Sequence, residues 1–331
     1  METAEQMATT ASTRARSGLL TGGALLLLTT ACSSSGTPAA TSTDQGLKVP
    51  PPSVSAVPTL AKADDKALPI EAYLLTPEQQ QQLIRARDAL TARCMTRFGF
   101  TYAPEPAPTD PGTRQKNLTQ WRYFVTDTTE TAQYGYTAKD FRHGQKPSRA
   151  PEPPAYLLAL TGSADGAVAV APGQTPKGGQ DINGQRIPPG GCIGEALGKL
   201  GASTANGNGG DAQLASDIKN SGWNQSLADS RLLAAFTAWS GCMKAKGYDY
   251  PTPIAAADDP QWQTIGASSE KARQTATADA TCKAEHNVVG IWYTVESAYE
   301  TTLIEQNAEA MRAIRQDIDN RMKLAAQALA S

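Results

Sequence analysis

The chain is poor in the side chains that carry most enzyme chemistry. It has two histidines in 331 residues, His143 and His286. A serine or cysteine triad needs a histidine base. His143 lies in the polar stretch Phe141 to Gln145, and His286 follows Glu285 where a helix should end. A positive charge is favoured at such an end, so both read as surface histidines. No Gly-x-Ser-x-Gly elbow, Ser-x-x-Lys, phosphate loop or His-Glu-x-x-His is present. No two cysteines have Cys-x-x-Cys spacing, which disfavours a zinc site, and no cofactor motif occurs. The formal net charge is −2, so no excess of basic residues points to nucleic acid. Aromatic residues make up 6%, and long apolar runs are confined to one place.

That place is the N-terminus. Residues 19–30 are apolar, follow Arg14 and Arg16, and end in small residues before Cys32. The run is too short to span a bilayer comfortably and reads as an export signal. A start at Met7 would drop Glu2 and Glu5 and leave a more basic leader. Leu28-Thr29-Thr30-Ala31-Cys32 resembles a bacterial lipobox, with Thr29 where leucine is commonest. Cleavage by ordinary signal peptidase after Thr29-Thr30-Ala31 is the competing reading. Cysteine parity favours the lipobox. The five cysteines are Cys32, Cys94, Cys192, Cys242 and Cys282. A lipid on Cys32 leaves four that can pair. The expected location is therefore the outer face of the plasma membrane, held there by a lipid anchor.

Residues 32–66 are rich in Ser, Thr, Ala and Pro and lack aromatics. They read as a disordered tether separating lipid from body by roughly 30 Å. A helical module is expected over 67–200, a Gly-rich linker over 201–210, and a second module over 211–289. Thr76-Pro77-Glu78-Gln79 is a strong helix start. Leu83, Ala86, Leu90 and Cys94 then share one face. Trp121 to Val125 suggests a short strand, Thr129 to Tyr134 a helical turn, and 153–160 a short helix. A small hairpin is expected within 161–191, with Ile182 and Ile187 at strand positions. Helices are expected over 192–200, 211–219, 229–246 and 268–285. From Trp292 to Leu329 an apolar stripe repeats about every 3.7 residues, interrupted at Asn307. It predicts a single amphipathic helix over 290–331, roughly 55 Å along its stripe, with Glu300 on its polar face.

The most informative feature is a duplication. Residues 94–102 and 242–250 both read Cys-Met-x-x-x-Gly-aromatic-x-Tyr. Each copy has a later cysteine with Glu three residues on, in Cys192 to Glu195 and Cys282 to Glu285. Three pairings are open to four cysteines. The repeat predicts that each module closes its own disulfide, Cys94–Cys192 and Cys242–Cys282. The fold expected is mainly α, with two related disulfide-closed modules, a long C-terminal helix and a small β-hairpin.

Leu68 to Thr76, Cys94 to Phe100 and Gly190 to Ala196 match a Leu-Pro-x-x-x-Tyr-x-x-Thr opening, a Cys-Met-x-x-x-Gly-aromatic turn and a Gly-Gly-Cys-x-x-Glu-Ala segment. In these the chain resembles a group of actinobacterial secreted lipoproteins of unknown function. The resemblance covers most of residues 67–310 and implies no activity.

Six of the twenty aromatics fall between Trp121 and Phe141, with Arg122 and Arg142 among them. They read either as the core of a segment short of aliphatics or as a ligand groove. Trp121, Arg122, Tyr123 and Arg142 are the candidate contacts. The functional expectation is a non-catalytic envelope protein binding a ligand or protein partner. Two rivals stand beside it: a glycan hydrolase using Glu195 and Glu285, and a dimerising sensor built on the long helix.

Overall fold

Helix α1 (Pro77–Arg97) begins where its capping residues require. The Thr76 hydroxyl accepts from the Gln79 amide, and the Gln79 side chain accepts from the Thr76 amide. Its last turn is the first copy of the repeat. Gly99 takes a left-handed φ of 81°, and the Phe100 amide donates back to the Met95 carbonyl at 3.1 Å. Helix α6 (Ser230–Ala245) ends identically. Gly247 has φ 89°, and the Tyr248 amide donates to the Met243 carbonyl at 2.9 Å. Glycine is needed at both because a Cβ disfavours this conformation. The hook turns the aromatic residue back beside its helix.

The structure is a computed structural model describing residues 47–104, 117–137, 152–168, 175–202 and 212–331. These all fall in one unit, Gln45–Ser331. The fold is mainly helical. Cys94 pairs with Cys192 and Cys242 with Cys282, so each copy of the repeat closes its own disulfide. Helices α3 (Pro154–Thr161) and α4 (Gly191–Lys199) pack on α1 around the first disulfide, enclosing Met95, Phe98 and Ala159. Strands β1 (Asp181–Ile182) and β2 (Gln185–Arg186) form the small hairpin. Its turn, Asn183-Gly184, has positive φ at both residues, as a tight two-residue hairpin demands.

The second disulfide joins α6 to α9 (Glu270–Glu285), with α7 (Pro253–Ala257) and α8 (Gln261–Ile265) between them in the chain. Helix α2 (Thr128–Tyr134) packs on α9, and Tyr123 enters the same core as Trp239 and Met243. Residues 123–136, expected in the first module, therefore belong to the second core, while Leu118 packs on the cluster of α10 and α11. Expected module boundaries follow the chain, whereas burial of Tyr123 and Phe124 follows the nearest apolar surface.

Helix α5 (Ala212–Leu227) packs along α10 (Val288–Gln306), and α11 (Ala308–Ala330) runs against α1. The expected single C-terminal helix is thus two helices. At Asn307 the backbone amide bonds to Ile304, and the side-chain amide donates to the Leu303 carbonyl at 2.8 Å. An asparagine that bonds backbone locally competes with the helical ladder. The apolar stripe persists across the break, since Val295, Tyr299, Leu303, Met311, Ile314 and Ile318 share one cluster. Glu300, expected on the polar face, is fully buried. The 3₁₀ helix Pro69–Tyr73 and α5 both pack on α10, leaving it little solvent-facing surface.

The tether also departs from expectation. Residues 47–66 lie on the body as an extended strap with little regular structure. Gln225 accepts from the Val49 amide and donates to the Leu47 carbonyl. Asn287 accepts from the Leu60 amide at 2.9 Å and donates to the Pro58 carbonyl at 3.0 Å. Low apolar content prevents the segment from building a core of its own, but its backbone is held by side chains of the helices. A Cβ on Gly290 would lie 2.1 Å from the Pro58 carbonyl oxygen, so glycine there lets the strap approach. The export signal, Cys32 and residues 203–210 of the expected linker lie outside the described residues.

Two outcomes follow. Replacing either cysteine pair by serine should lower stability by about 4 to 5 kcal/mol, read from urea midpoints. The longer loop, closed over 98 residues against 40, should cost slightly more. Gly290→Ala should raise hydrogen exchange at residues 47–60 while leaving α1 protected.

Candidate functional site

The aromatic segment is a turn, not the expected strand. Trp121 and Phe124 have φ of 64° and 60°. Non-glycine residues rarely adopt this conformation, and the surroundings must hold it. The Asn117 side chain accepts from the Gln120 amide and donates to the Asp64 carbonyl of the strap. The Thr119 hydroxyl donates to the Lys66 carbonyl. These bonds fix the turn against the strap.

The turn divides the candidate contacts. Arg122 and Tyr123 point inward. The Arg122 guanidinium donates to Glu296 at 2.7 Å and lies 4.7 Å over the Trp223 ring. The Tyr123 hydroxyl donates to the other Glu296 oxygen at 3.0 Å. Trp292 stacks on Trp223 and touches Tyr123 and Phe236. These side chains are core. Trp121 instead keeps 39% of its surface exposed. Arg142 lies outside the described residues.

Trp121 stands at a cleft of about 190 Å³. Phe124 and Tyr136 line it with Trp121, and the turn from Val125 to Asp127 forms part of the wall. Charged side chains complete the rim: Asp127 and Glu130 from the start of α2, and Lys62 and Asp64 from the strap. One Asp127 oxygen caps α2, accepting from the Thr129 and Glu130 amides. Those bonds hold its carboxyl below the usual range. Partial burial raises Asp64, which Lys62 opposes and the nearby Asp65 and Asp127 reinforce. Sequence reading missed Lys62 and Asp64 because they sit in a segment with no periodic pattern. A second hollow, beside the hairpin, is lined largely by proline and glycine backbone, with Arg186 its one charged side chain.

Beneath the cleft is a buried ion pair. Lys283 donates to Asp279 at 3.1 Å and to the Val125 carbonyl at 2.9 Å. The Trp239 indole also donates to Asp279 at 3.0 Å. Burial lowers the Lys283 ammonium, and Asp279 opposes the shift. Glu300 is a further enclosed acid. One oxygen accepts from the Ile70 amide, and the other has no partner among the described residues. Burial and the neighbouring Glu296 push its carboxyl up to about 8. Asp279–Lys283 and Glu296–Glu300 each repeat at one helical turn on a buried face. That spacing is visible in sequence but is shared by ordinary surface pairs.

The two candidate catalytic acids lie beside the disulfides. Glu195 bonds Lys199 at 2.7 Å and also pairs with Arg97. Partial burial opposes these cations, but they hold its carboxyl below the usual range. A glycosidic general acid needs the opposite shift. Glu285 lies 3.2 Å from the Cys242 sulfur and pairs with Lys246 at 3.5 Å. The structure thus places them in matching positions beside separate disulfides. Cys242, Cys282 and Glu285 are close enough together for a metal, but their two sulfurs are joined to each other.

Compared with known proteins, the chain matches no family model, no curated protein and no solved structure.

Glu300 generates a pH prediction. Its folded value lies above the ordinary carboxyl value, so the native state holds a proton that the unfolded chain releases. Stability should therefore fall as pH rises from about 4.5 through about 8. The slope contributed is up to about 1.4 kcal/mol per pH unit. Glu300→Gln should flatten this slope and raise the melting temperature near neutral pH, measured by thermal melts across that range.

Proposed function

We propose that this chain is an extracytoplasmic lipoprotein, anchored through Cys32, that binds a small ligand or partner without transforming it. The observation that carries the reading is the pairing of Cys94 with Cys192 and Cys242 with Cys282. Two such staples suit an oxidising compartment, and they leave Cys32 alone for acylation. The lipobox-like Leu28 to Cys32 and the resemblance to actinobacterial secreted lipoproteins point the same way. No helix among the described residues is long and apolar enough to cross a membrane.

The cleft at Trp121 supports a binding role. It combines exposed aromatic surface with charged groups on a framework fixed by buried bonds. The hydrolase reading is less well supported, because Glu195 and Glu285 are each engaged by a cation beside a disulfide. The sensor reading needs a long free helix face. Here the helix breaks at Asn307, and the apolar faces of α10 and α11 are taken up by α5 and α1.

Cells fed labelled palmitate should incorporate it into this protein, and Cys32→Ala should abolish the label and release the protein from membranes. Unchanged labelling in that variant would overturn the anchor. Glu195→Gln with Glu285→Gln should leave cell-wall integrity unaffected, whereas loss of integrity with intact folding would revive the hydrolase.

A further inference from the structure

We propose that the cleft beside Trp121 binds a small organic ammonium cation, seated against aromatic rings and neutralised by Asp64 and Glu130. The proposal rests on the binding role given above and names its ligand chemistry. Three features of the cleft point to that class.

The first is the wall. Trp121, Phe124 and Tyr136 line one small hollow, and the Phe124 ring already has the Lys283 ammonium 5.8 Å from its centroid. An aromatic face attracts a cation through its quadrupole, and alkyl groups on nitrogen also gain apolar contact. Tyr136 is held by its tilted contact with the Trp262 ring at 5.3 Å and by its amide bond to the Ala267 carbonyl. The wall is therefore formed before a ligand arrives.

The second is charge. Three carboxylates, Asp64, Asp127 and Glu130, face the cleft against one ammonium, Lys62. Asp127 is committed to capping α2. Asp64 is partly desolvated, Lys62 favours its charge, and Asp65 and Asp127 oppose it, so an incoming cation would add to the effect of Lys62. The Lys283 ammonium below the floor does not offset this excess, because Asp279 balances it at 3.1 Å. An anion would meet net repulsion, and a neutral sugar would leave the acidic excess unanswered.

The third is registration. Asn117 bonds both the Asp64 carbonyl and the Gln120 amide, so one side chain holds the strap's acid and the aromatic turn together. Asp64 and the aromatic residues come from segments more than fifty residues apart in sequence, yet they share a clamp. Ligand binding should accordingly hold the strap down.

The test is calorimetric titration of the full chain with choline and with its uncharged carbon isostere, dimethylbutanol. Choline should bind, and the isostere should bind at least about tenfold more weakly. Asp64→Asn and Trp121→Ala, both on exposed side chains, should each weaken choline by about tenfold with unchanged thermal melts. Choline should also slow hydrogen exchange at residues 60–66. Equal binding of choline and isostere would overturn the cation class while leaving a binding cleft in place. Failure of both probes to bind would overturn the proposed ligand chemistry, and choline binding indifferent to both substitutions would place the site elsewhere. The palmitate experiment decides the anchor independently of all three outcomes.

Discussion

Glu296 is wholly enclosed, and Arg122 with Tyr123 makes that tolerable. A buried carboxylate without a partner costs several kcal/mol. Arg122 and the Tyr123 hydroxyl together occupy both of its oxygens. Satisfying Glu296 in this way draws the turn at 121–124 down onto α10. The left-handed residues Trp121 and Phe124 flank the pair, and the turn they make lets consecutive Arg122 and Tyr123 face the same side, where an extended strand would alternate them. The inward pair joins the Trp292 core, and Trp121 is left outside at the cleft. The cleft therefore depends on an ion pair that takes no part in it.

The duplicated Cys-Met-x-x-x-Gly-aromatic segment solves one local problem twice. A helix must stop, its last carbonyls must be bonded, and its cysteine must face a partner. In both copies glycine enters the left-handed region, and the following aromatic amide returns to the methionine carbonyl. Both copies also set a carboxylate three residues after the second cysteine near the first. The cations differ, Arg97 and Lys199 in one copy and Lys246 in the other. The repeat is thus a device of local structure. The cores built around its two copies differ, and residues 123–136 belong to the second.

Much of the helical framework was legible. Thr76, Pro77 and Gln79 fixed the start of α1, and Asn183-Gly184 turns the hairpin with φ values that other residue pairs seldom reach. The disulfides followed from the repeat. The strand expected at Trp121 to Val125 failed because alternation in five residues says nothing about a buried acid elsewhere. The uninterrupted C-terminal helix failed at Asn307, the single polar residue in its stripe. Of the candidate contacts, Trp121 alone was found at the cleft among the described residues. Lys62 and Asp64 were invisible, since no pattern marks an extended strap as part of a body.

The amino-acid sequence by itself determined what is local: helix caps, the two glycine hooks, the hairpin turn and the sorting of cysteines into pairs. Each depends on residues within about one turn or on a repeat readable as text. Tertiary structure alone decided that residues 47–66 lie on the helices, that Glu300 is buried, and that Asp64 lines one cleft with Trp121. These depend on which surfaces come together across hundreds of residues. Burial there overrides the polarity of the side chain concerned, and hydrogen bonds from distant partners make the exception stable.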